Sequence, residues 1–271
     1  MKILIIGASG FLGQCFAKYL HGHDITVTSR QDLNLLDLSQ VTQFLQDQKF
    51  NWIINCAVTG RSNIRETDQI TLGENLAMFT NLYANLDAVA NGMITFGSGA
   101  EFDIEKDIDQ ASEISIWQHM PTHSYGLSKN LISRMSSLHP KSYIVRIFGC
   151  FDSEENSIRP IKKLTHCIQK QTPFILEKDR WFDMISVVDL VKIVQYVITG
   201  ACGFRDINAV YNHKTRLSDI LRLYCKLHGH DSSYVQVQSQ DGSSYTGDSS
   251  RLDLLNLPLW GLNKSLEMYG K

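Results

Sequence analysis

Apolar residues follow two periodicities along the chain. In the first 150 residues, short apolar runs alternate with segments of helix length. The runs predict five strands, at Ile3–Ile6, Ile25–Thr28, Trp52–Asn55, Met93–Phe96 and Tyr143–Ile147. The first intervening segment repeats apolar residues at helical spacing, at Phe11, Leu12, Cys15 and Phe16. Near-continuous apolar strands that alternate with helices are typical of a doubly wound α/β fold, in which helices cover both faces of a parallel sheet.

The pattern changes after Phe151. Polar loops become longer, and weaker strand signals occur at Phe174–Leu176, Asp206–Asn208 and Tyr234–Val237. Helices are predicted near Ile158–Lys170, Val188–Thr199 and Ser218–His228. Because the sequence has no linker rich in proline, glycine or serine between the halves, we expect residues 151–271 to form a smaller, interleaved region. Within it, segment 174–200 is expected to return to the main sheet.

Composition excludes several classes of protein. The 271 residues carry a net charge of −2, which gives no electrostatic basis for binding nucleic acid or an anionic membrane. The sequence has no run of the ~18 apolar residues that a membrane-spanning helix needs. The first apolar run is too short for the core of a signal peptide, so a cytoplasmic location is expected. The six cysteines form no C-x-x-C pair and the histidines lie in polar stretches, so reduced thiols and no metal site are predicted.

A glycine-rich turn joins the first strand to the first helix. Gly7, Gly10 and Gly13 form a G-x-x-G-x-x-G pattern directly after the apolar run at Ile3–Ile6. Glycine permits a tight turn and close backbone approach, and the amino terminus of a helix offers unpaired N–H groups to a pyrophosphate. This placement, rather than the glycine triplet itself, predicts a Rossmann dinucleotide-binding domain over residues 1–150.

The residues after the second strand indicate which dinucleotide is bound. An acidic residue there would bind the ribose hydroxyls of NAD, but this sequence has Ser29 and Arg30. A guanidinium can offer a bidentate contact to a 2′-phosphate. The sequence therefore favours NADPH over NADH, although Asp32 remains an alternative ribose ligand.

A tyrosine and a lysine lie at i and i+4 after the fourth strand. On one face of a helix, Tyr125 and Lys129 would be neighbours. A nearby ammonium favours the phenolate of a tyrosine, whose unperturbed pKa is near 10. Such a pair could protonate a carbonyl oxygen while hydride reaches its carbon. Ser98 follows the fourth strand, at the edge where ligands bind in such sheets, and its hydroxyl could hold the same oxygen.

With these residues in place, the chain resembles the extended short-chain dehydrogenase/reductases, a family of nucleotide-sugar epimerases, dehydratases and reductases. The resemblance covers nearly the whole length, from the glycine turn to the stretch Gly247–Leu252. It implies that Asp37-Leu38 reaches the adenine and that Phe148 lies beside the nicotinamide. It also implies that Arg180 binds the substrate diphosphate, and that the enzyme is a homodimer.

The turn, the residues after the second strand and the resemblance together give the predicted site. The predicted catalytic residues are Ser98, Tyr125 and Lys129, and the predicted substrate contacts are Ser98 and Arg180. The predicted cofactor-binding residues are Gly7, Ser9, Gly10, Phe11, Leu12, Gly13, Ser29, Arg30, Asp37, Leu38, Cys56, Ala57, Val58, Asn75, Tyr125, Lys129 and Phe148.

Departures from the family pattern reduce the number of reactions that this enzyme is expected to catalyse. The stretch Arg30–Asp37 resembles GDP-fucose synthases, but Ala100 stands where those enzymes carry an epimerase cysteine, and the segment Asn156–Pro160 lacks their histidine. The residues after Ser98 lack the Asp-Glu pair of the 4,6-dehydratases. NADPH-dependent reduction of a 4-keto group on a nucleotide-activated 6-deoxyhexose is therefore favoured. The alternatives are a nucleotide-sugar 4-epimerase with bound NAD and, in another class, a non-catalytic NADP-binding regulatory subunit.

Overall fold

The computed structural model describes residues 1–60 and 69–270. Twelve strands occur in these ranges. In chain order they are β1 (Lys2–Ile6), β2 (Asp24–Thr28), β3 (Trp52–Asn55), β4 (Gly92–Ser98), β5 (Ile108–Ala111), β6 (Ser142–Ile147), β7 (Cys150–Phe151), β8 (Phe174–Lys178), β9 (Ile185–Ser186), β10 (Asp206–Ala209), β11 (Val235–Ser239) and β12 (Tyr245–Gly247).

Nine α-helices lie between or after these strands in the described part of the chain. They are α1 (Phe11–Tyr19), α2 (Leu38–Gln48), α3 (Gln69–Tyr83), α4 (Ser124–Ser136), α5 (Pro160–Gln169), α6 (Val187–Ile198), α7 (Leu217–Leu227), α8 (Ser250–Leu254) and α9 (Gly261–Glu267). Short 3₁₀ turns include one at Gly99–Phe102, immediately after β4. None of the helices in the described ranges is both long enough and apolar enough to cross a membrane.

Six parallel strands form the central sheet in the order β10-β6-β4-β3-β1-β2. The prediction of a doubly wound parallel sheet is confirmed, and the five strands predicted in the first half all belong to it. The sixth strand is β10, which pairs with β6 through Asp206↔Ile144 and the residues that follow. Strand order reverses direction at β1, so the switch point that binds ligands in such sheets lies at the carboxyl ends of β1 and β3.

Helices cover both faces of the sheet. Side chains alternate along β1, so Ile3 and Ile5 pack with α1 and α6, and Leu4 faces α2, α3 and α4. Each face has its own buried apolar cluster, as the near-continuous apolar strands predict.

The region after Phe151 is built differently from the expectation. Strand β8 (Phe174–Lys178) pairs with β11 in a separate two-stranded sheet, so the strand of segment 174–200 does not return to the main sheet. Its buried end, Phe174, packs instead in a third apolar cluster with α5, α7 and α9. Only helix α6 of this segment lies against the main sheet, in the cluster with α1. The short amphipathic strand finds apolar partners within its own region, which explains why the prediction was wrong for β8.

Candidate functional site

The backbone packs so closely around the glycine turn that two of its positions have no space for a side chain. Gly7 has φ +76°, and a Cβ there would lie 2.8 Å from the amide nitrogen of Ala57. A Cβ on Gly13 would overlap the carbonyl oxygen of Gly7 and approach the Cα of Ala8 to 2.7 Å. Helix α1 begins at Phe11 with Gly10 as its N-cap, so its first amides point out of the turn without intrahelical partners. The turn thus has the shape and the donors that a pyrophosphate requires.

A cavity of about 250 Å³ lies between the turn and the end of β2. It is bounded by residues from the first three strands and their loops, namely Ile6, Gly7, Ser9, Gly10, Ser29, Arg30, Leu33, Asn34, Leu35, Leu36, Cys56, Ala57, Val58, Thr59 and Met78. The apolar walls and the one guanidinium suit an adenosine with an anionic group on its ribose.

Arg30 is the charged residue of this cavity, and Asp32 is occupied elsewhere. The side chain of Arg30 is largely exposed, and its Nη2 lies 3.9 Å from the Oε1 of Glu74. The carboxylate of Asp32 accepts hydrogen bonds from the backbone N–H and the hydroxyl of Ser29, at 2.8 and 2.7 Å. Asp32 therefore closes a local turn, and does not line the cavity as the alternative ribose ligand would.

Asp37 and Leu38, the predicted adenine contacts, lie beside this cavity without lining it. The carboxylate of Asp37 caps α2 by accepting from the amide of Gln40 at 3.0 Å. Leu38, the first residue of α2, is half exposed, and neither residue lines the cavity. The residues just before them, Leu33–Leu36, form its wall because the helix cap turns Asp37 away.

A second cavity, of about 110 Å³, contains the predicted catalytic groups. Ser98, Tyr125 and Lys129 line it together with side chains from the glycine turn and from the end of β6. The full lining is Phe11, Leu12, Asn55, Cys56, Val58, Phe96, Gly97, Ser98, Tyr125, Lys129, Ile147, Phe148, Cys150 and Arg159. Cys56 and Val58 line both cavities, so the two form adjoining parts of one cleft along the carboxyl ends of the strands.

The ends of β4 and α4 bring the three groups together. Ser98 ends β4 and caps the following 3₁₀ turn, because its hydroxyl accepts from the amide of Ala100 at 3.2 Å. His123 caps α4 through its Nδ1, so Tyr125 lies in the first turn and Lys129 one turn later on the same face.

The ionisation of Tyr125 differs from the expectation. Burial raises the pKa of Tyr125 above its usual value, and hydrogen bonding with Ser98 offsets only part of this effect. The predicted lowering by Lys129 is wrong for this structure, since the ammonium is directed at the carbonyl oxygen of Phe96, 2.7 Å away. Tyr125 therefore holds its proton at neutral pH, which suits a proton donor.

Lys129 is the more strongly perturbed base. It is 6% exposed, and burial lowers its pKa to about 8. The negative charge of Glu101 opposes this shift. Lys129 is thus a buried cation whose protonation changes within the range of ordinary assays.

Asn75 does not line the cleft but holds a loop beside it. Its side chain is buried, accepts from the amide of Thr59 at 2.8 Å and donates to the carbonyl of Thr59 at 2.9 Å. It also donates to the hydroxyl of Ser128 at 3.3 Å. Asn75 therefore fixes the loop after β3 against α4, and the cavity linings do not include it.

The arginine that lines the cleft is not the one that the sequence predicts. Arg180, the predicted diphosphate ligand, is exposed and lines neither part of the cleft. Arg159, which precedes Pro160 at the start of α5, lines the cavity with Ser98 and Tyr125. Within the described ranges the guanidinium of Arg159 has no hydrogen-bond or ion-pair partner, so it can bind an anion. In the sequence, the segment before Pro160 was notable only because it lacks the histidine of the GDP-fucose synthases.

A buried ion pair under Ser98 also escaped the sequence analysis. Glu101 is fully buried, and its carboxylate accepts from the amide of Ser98 at 2.7 Å and from Arg146 Nε at 2.7 Å. Arg146 donates in turn to the side chain of Asn208 at 3.0 Å. The serine backbone is therefore tied through charged groups to β6 and β10. A charged residue between Ala100 and Phe102 in an otherwise apolar stretch was the available signal.

The sequence matches a family model over residues 3–209, that of the NAD dependent epimerase/dehydratase family. This chain belongs to that family. The matched segment contains the glycine turn, Ser98, Tyr125 and Lys129, so both parts of the cleft lie within the family's common framework. No curated protein matches the sequence significantly.

Solved structures of several nucleotide-sugar enzymes are similar to the whole chain. A dTDP-4-dehydrorhamnose reductase from Clostridium acetobutylicum is 24% identical, with a TM-score of 0.83 over 99% of this chain and 98% of the other. A GDP-mannoheptose C4 reductase from Campylobacter jejuni is 16% identical, with a TM-score of 0.79 over 98% and 96%. A UDP-glucose 4-epimerase from Thermus thermophilus is 15% identical, with a TM-score of 0.78 over 99% and 97%. At these identities the likeness establishes a shared fold.

Proposed function

We propose that this protein is an NADPH-dependent reductase of a 4-keto group on a nucleotide-activated 6-deoxyhexose. The observation that carries the proposal is the convergence of Ser98, Tyr125 and Lys129 on one cavity that adjoins the glycine turn. Two of the similar structures described above are sugar-nucleotide 4-ketoreductases by name. Residues of two separate elements, β4 and α4, would then serve one carbonyl.

The choice of NADPH rests on the end of β2. Ser29 and Arg30 line the adenosine part of the cleft, and the one nearby aspartate, Asp32, is engaged by Ser29. A guanidinium beside the ribose favours a 2′-phosphate. The structures of the Campylobacter jejuni reductase and of a Bacillus anthracis dTDP-4-dehydrorhamnose reductase contain NADP.

NADPH, when bound, would supply the hydride that reduces the ketone carbon. Tyr125, protonated at neutral pH because burial raises its pKa, would give its proton to the ketone oxygen. The hydroxyl of Ser98 would donate a hydrogen bond to the same oxygen and stabilise the charge that develops there. Lys129, whose ammonium donates to the carbonyl of Phe96, would also hydrogen-bond the ribose of NADPH.

Arg159 is proposed as the residue that binds the substrate diphosphate, in place of Arg180. It lines the same cavity as Tyr125, and its positive charge opposes part of the rise in the pKa of that phenol. A guanidinium so placed can hold a phosphate oxygen by charge-assisted hydrogen bonds while the sugar lies near Ser98.

The two residues after Ser98 favour reduction over elimination and 3,5-epimerisation. Gly99 and Ala100 follow Ser98, so neither of these positions carries an acid or a thiol for elimination or 3,5-epimerisation. Ketone reduction requires only a hydride donor, a proton donor and an oxyanion contact, all of which the cleft can provide.

The proposal is tested by mixing the enzyme with NADPH or NADH and a panel of 4-keto-6-deoxyhexose nucleotides, and following absorbance near 340 nm. We expect NADPH to be consumed with at least one of them, and Tyr125→Phe to abolish consumption while NADPH still binds. Absence of consumption with every ketone would contradict the proposal.

Two other outcomes would identify the alternatives. Interconversion of 4-epimeric sugar nucleotides with tightly bound NAD and no net change in absorbance would indicate a 4-epimerase. Tight NADPH binding without turnover of any carbonyl or sugar substrate would indicate a regulatory subunit. The homodimer and the cytoplasmic location stay predictions, and light scattering in solution would decide the first.

A further inference from the structure

Glu101 lies between the strand end that carries Ser98 and helix α4, which carries the other two predicted catalytic groups. Its side chain is fully buried in the 3₁₀ turn after β4. Its carboxylate accepts from the amide of Ser98 at 2.7 Å, from the hydroxyl of Ser133 in α4 at 2.8 Å and from the Nε of Arg146 in β6 at 2.7 Å. One side chain therefore bonds the serine, helix α4 and the central sheet.

The two oxygens of this carboxylate have different partners. Oε1 accepts from the amide of Ser98, and Oε2 accepts from both Ser133 and Arg146. Both oxygens of an ionised carboxylate accept, whereas an amide of the same shape accepts through one only, so the arrangement depends on the charge. Since the two oxygens belong to one planar group, Ser98 cannot move relative to Ser133 without stretching one of these bonds.

Two further contacts hold Glu101 itself in place. Its backbone carbonyl accepts from the side-chain amide of Asn130, the residue that follows Lys129 in α4, at 2.9 Å. A Cβ on Gly97 would lie 2.5 Å from the Oε1 of Glu101, so a glycine is needed there for the carboxylate to pass beneath the strand. Helix α4 is thus bonded to Glu101 at two points, close to Lys129 and one turn beyond it.

We propose that Glu101 is a positioning residue that fixes the hydroxyl of Ser98 relative to Tyr125 on α4. Glu101 lies outside the lining of the catalytic cavity and acts through the groups that it bonds. A proton donor and an oxyanion contact must converge on one ketone oxygen, so a small displacement of either slows the chemical step. The inference rests on the proposed reduction for its effect on rate, whereas the contacts of Glu101 exist whatever the substrate is.

The contacts are tested without turnover by NMR of the full-length protein labelled with ¹⁵N at serine. Ser98→Ala identifies the Ser98 amide through the loss of its signal. We expect Ser133→Ala to shift this signal, because the carboxylate that accepts from the amide of Ser98 is then released from α4. An unchanged Ser98 signal in Ser133→Ala would overturn the proposal.

The effect on rate is tested by a double-mutant cycle in the reductase assay. Ser133→Ala leaves the buried ion pair intact, whereas a change of Glu101 would leave Arg146 buried without its counter-ion and could unfold the protein. We expect Ser133→Ala to lower kcat roughly tenfold, with KM and NADPH affinity unchanged. In a Ser98→Ala background the same change should have almost no further effect. Losses that multiply independently would overturn the proposal.

Ser136→Ala is the matched control. Ser136 is also buried in α4, and its hydroxyl lies 2.7 Å from that of Ser142. Each variant loses one side-chain hydrogen bond from the same helix, but only Ser133→Ala should change kcat and the Ser98 signal. Equal losses of kcat in the two variants would overturn the proposal, since they would report a general loosening of α4.

Failure of the proposed reduction would be recognised separately. If the wild-type protein consumed no NADPH with any ketone, that proposal would be wrong, and the NMR comparison of Ser133→Ala with Ser136→Ala would still decide whether Glu101 couples Ser98 to α4.

Discussion

The two parts of the cleft are built from different kinds of contact. The dinucleotide part depends on the backbone, because Gly7 and Gly13 leave no space for a Cβ and α1 presents bare amides. The part around Ser98 depends on side chains from distant elements, including Arg159 at the start of α5 and Phe148, whose ring packs edge-on against Tyr245 of β12. One part is local in sequence and tolerates little change, whereas the other is assembled by tertiary packing.

This difference indicates which part of the cleft determines specificity for the substrate. A turn that binds a pyrophosphate through backbone N–H groups has few solutions, so it recurs with the same glycine spacing. A substrate wall made of long side chains can change its charge or shape at single positions without altering the sheet. We therefore expect substitutions in the first part to act on cofactor binding, and those in the second to act on substrate.

The largest effect is expected for Gly13→Ala. The new Cβ would overlap the carbonyl oxygen of Gly7 and lie 2.8 Å from its carbonyl carbon, so the turn must move, at a cost of about 1–3 kcal/mol. We expect NADPH affinity, measured by fluorescence titration, to fall more than 100-fold, with a lower melting temperature.

Gly73→Ala is its control, since no atom of the residues that the structure describes lies within 4 Å of a Cβ at that position in α3. Alanine is favoured over glycine in a helix by roughly 0.5–1 kcal/mol, so this variant should bind NADPH normally and be slightly more stable. Normal NADPH binding by Gly13→Ala would show that the turn does not depend on backbone space, and the comparison would be wrong.

A smaller effect, confined to substrate, is expected for Arg159→Met. A charge-assisted hydrogen bond contributes about 1.5–3 kcal/mol, so its loss should raise KM for the keto-sugar nucleotide about 10- to 100-fold. Affinity for NADPH should not change. Arg180→Met is the matched control, because Arg180 is exposed outside the cleft, and it should leave KM unchanged. The opposite result would restore Arg180 as the diphosphate ligand.

The same contrast explains what the sequence could predict. The five strands of the first half and the glycine turn follow from short-range periodicity and from φ requirements, which are legible in a few adjacent residues. Ser98, Tyr125 and Lys129 were predicted because they occupy fixed places relative to those strands.

Arg159, Tyr245 and Glu101 could not be predicted in the same way. Each acquires its neighbours from elements far away along the chain, and a lone arginine or tyrosine in a polar stretch carries no periodic signal. The placement of β8 failed for a related reason, since a strand with only one buried residue among five has a weak signal for which sheet it joins. The capping role of Asp37 was also missed, because an aspartate just before a helix can serve either the helix or a ligand.

An intermediate effect should appear in the pH dependence of NADPH binding. Lys129, whose pKa burial lowers to about 8, loses its proton as the pH rises through that value. Its cation then no longer supports the ribose, so the dissociation constant, followed by fluorescence from pH 6 to 10, should rise above pH 8. This rise in the dissociation constant should also occur in Tyr125→Phe, because burial raises the pKa of Tyr125 above its usual value. It should be absent from Lys129→Met. A flat profile in the wild type would contradict a role for the buried ammonium.

The smallest effect concerns the stability of the C-terminal region. Glu155 is buried in the loop between β7 and α5, and burial raises its pKa to about 7, although the Tyr269 hydroxyl donates to its Oε1 at 3.0 Å. Within the described residues its Oε2 has no hydrogen-bond partner. A carboxyl group whose pKa is raised on folding contributes stability that is present below its unfolded pKa, near 4.5, and is lost as the pH rises through about 7.

Glu155→Gln removes the charge that must be buried above pH 7. The variant should therefore melt at the wild-type temperature near pH 5 and a few degrees higher at pH 8, by calorimetry of the free protein. Glu154→Gln, whose side chain is 60% exposed, should show no such pH-dependent difference. An equal shift at both pH values would mean that the amide changes packing rather than charge.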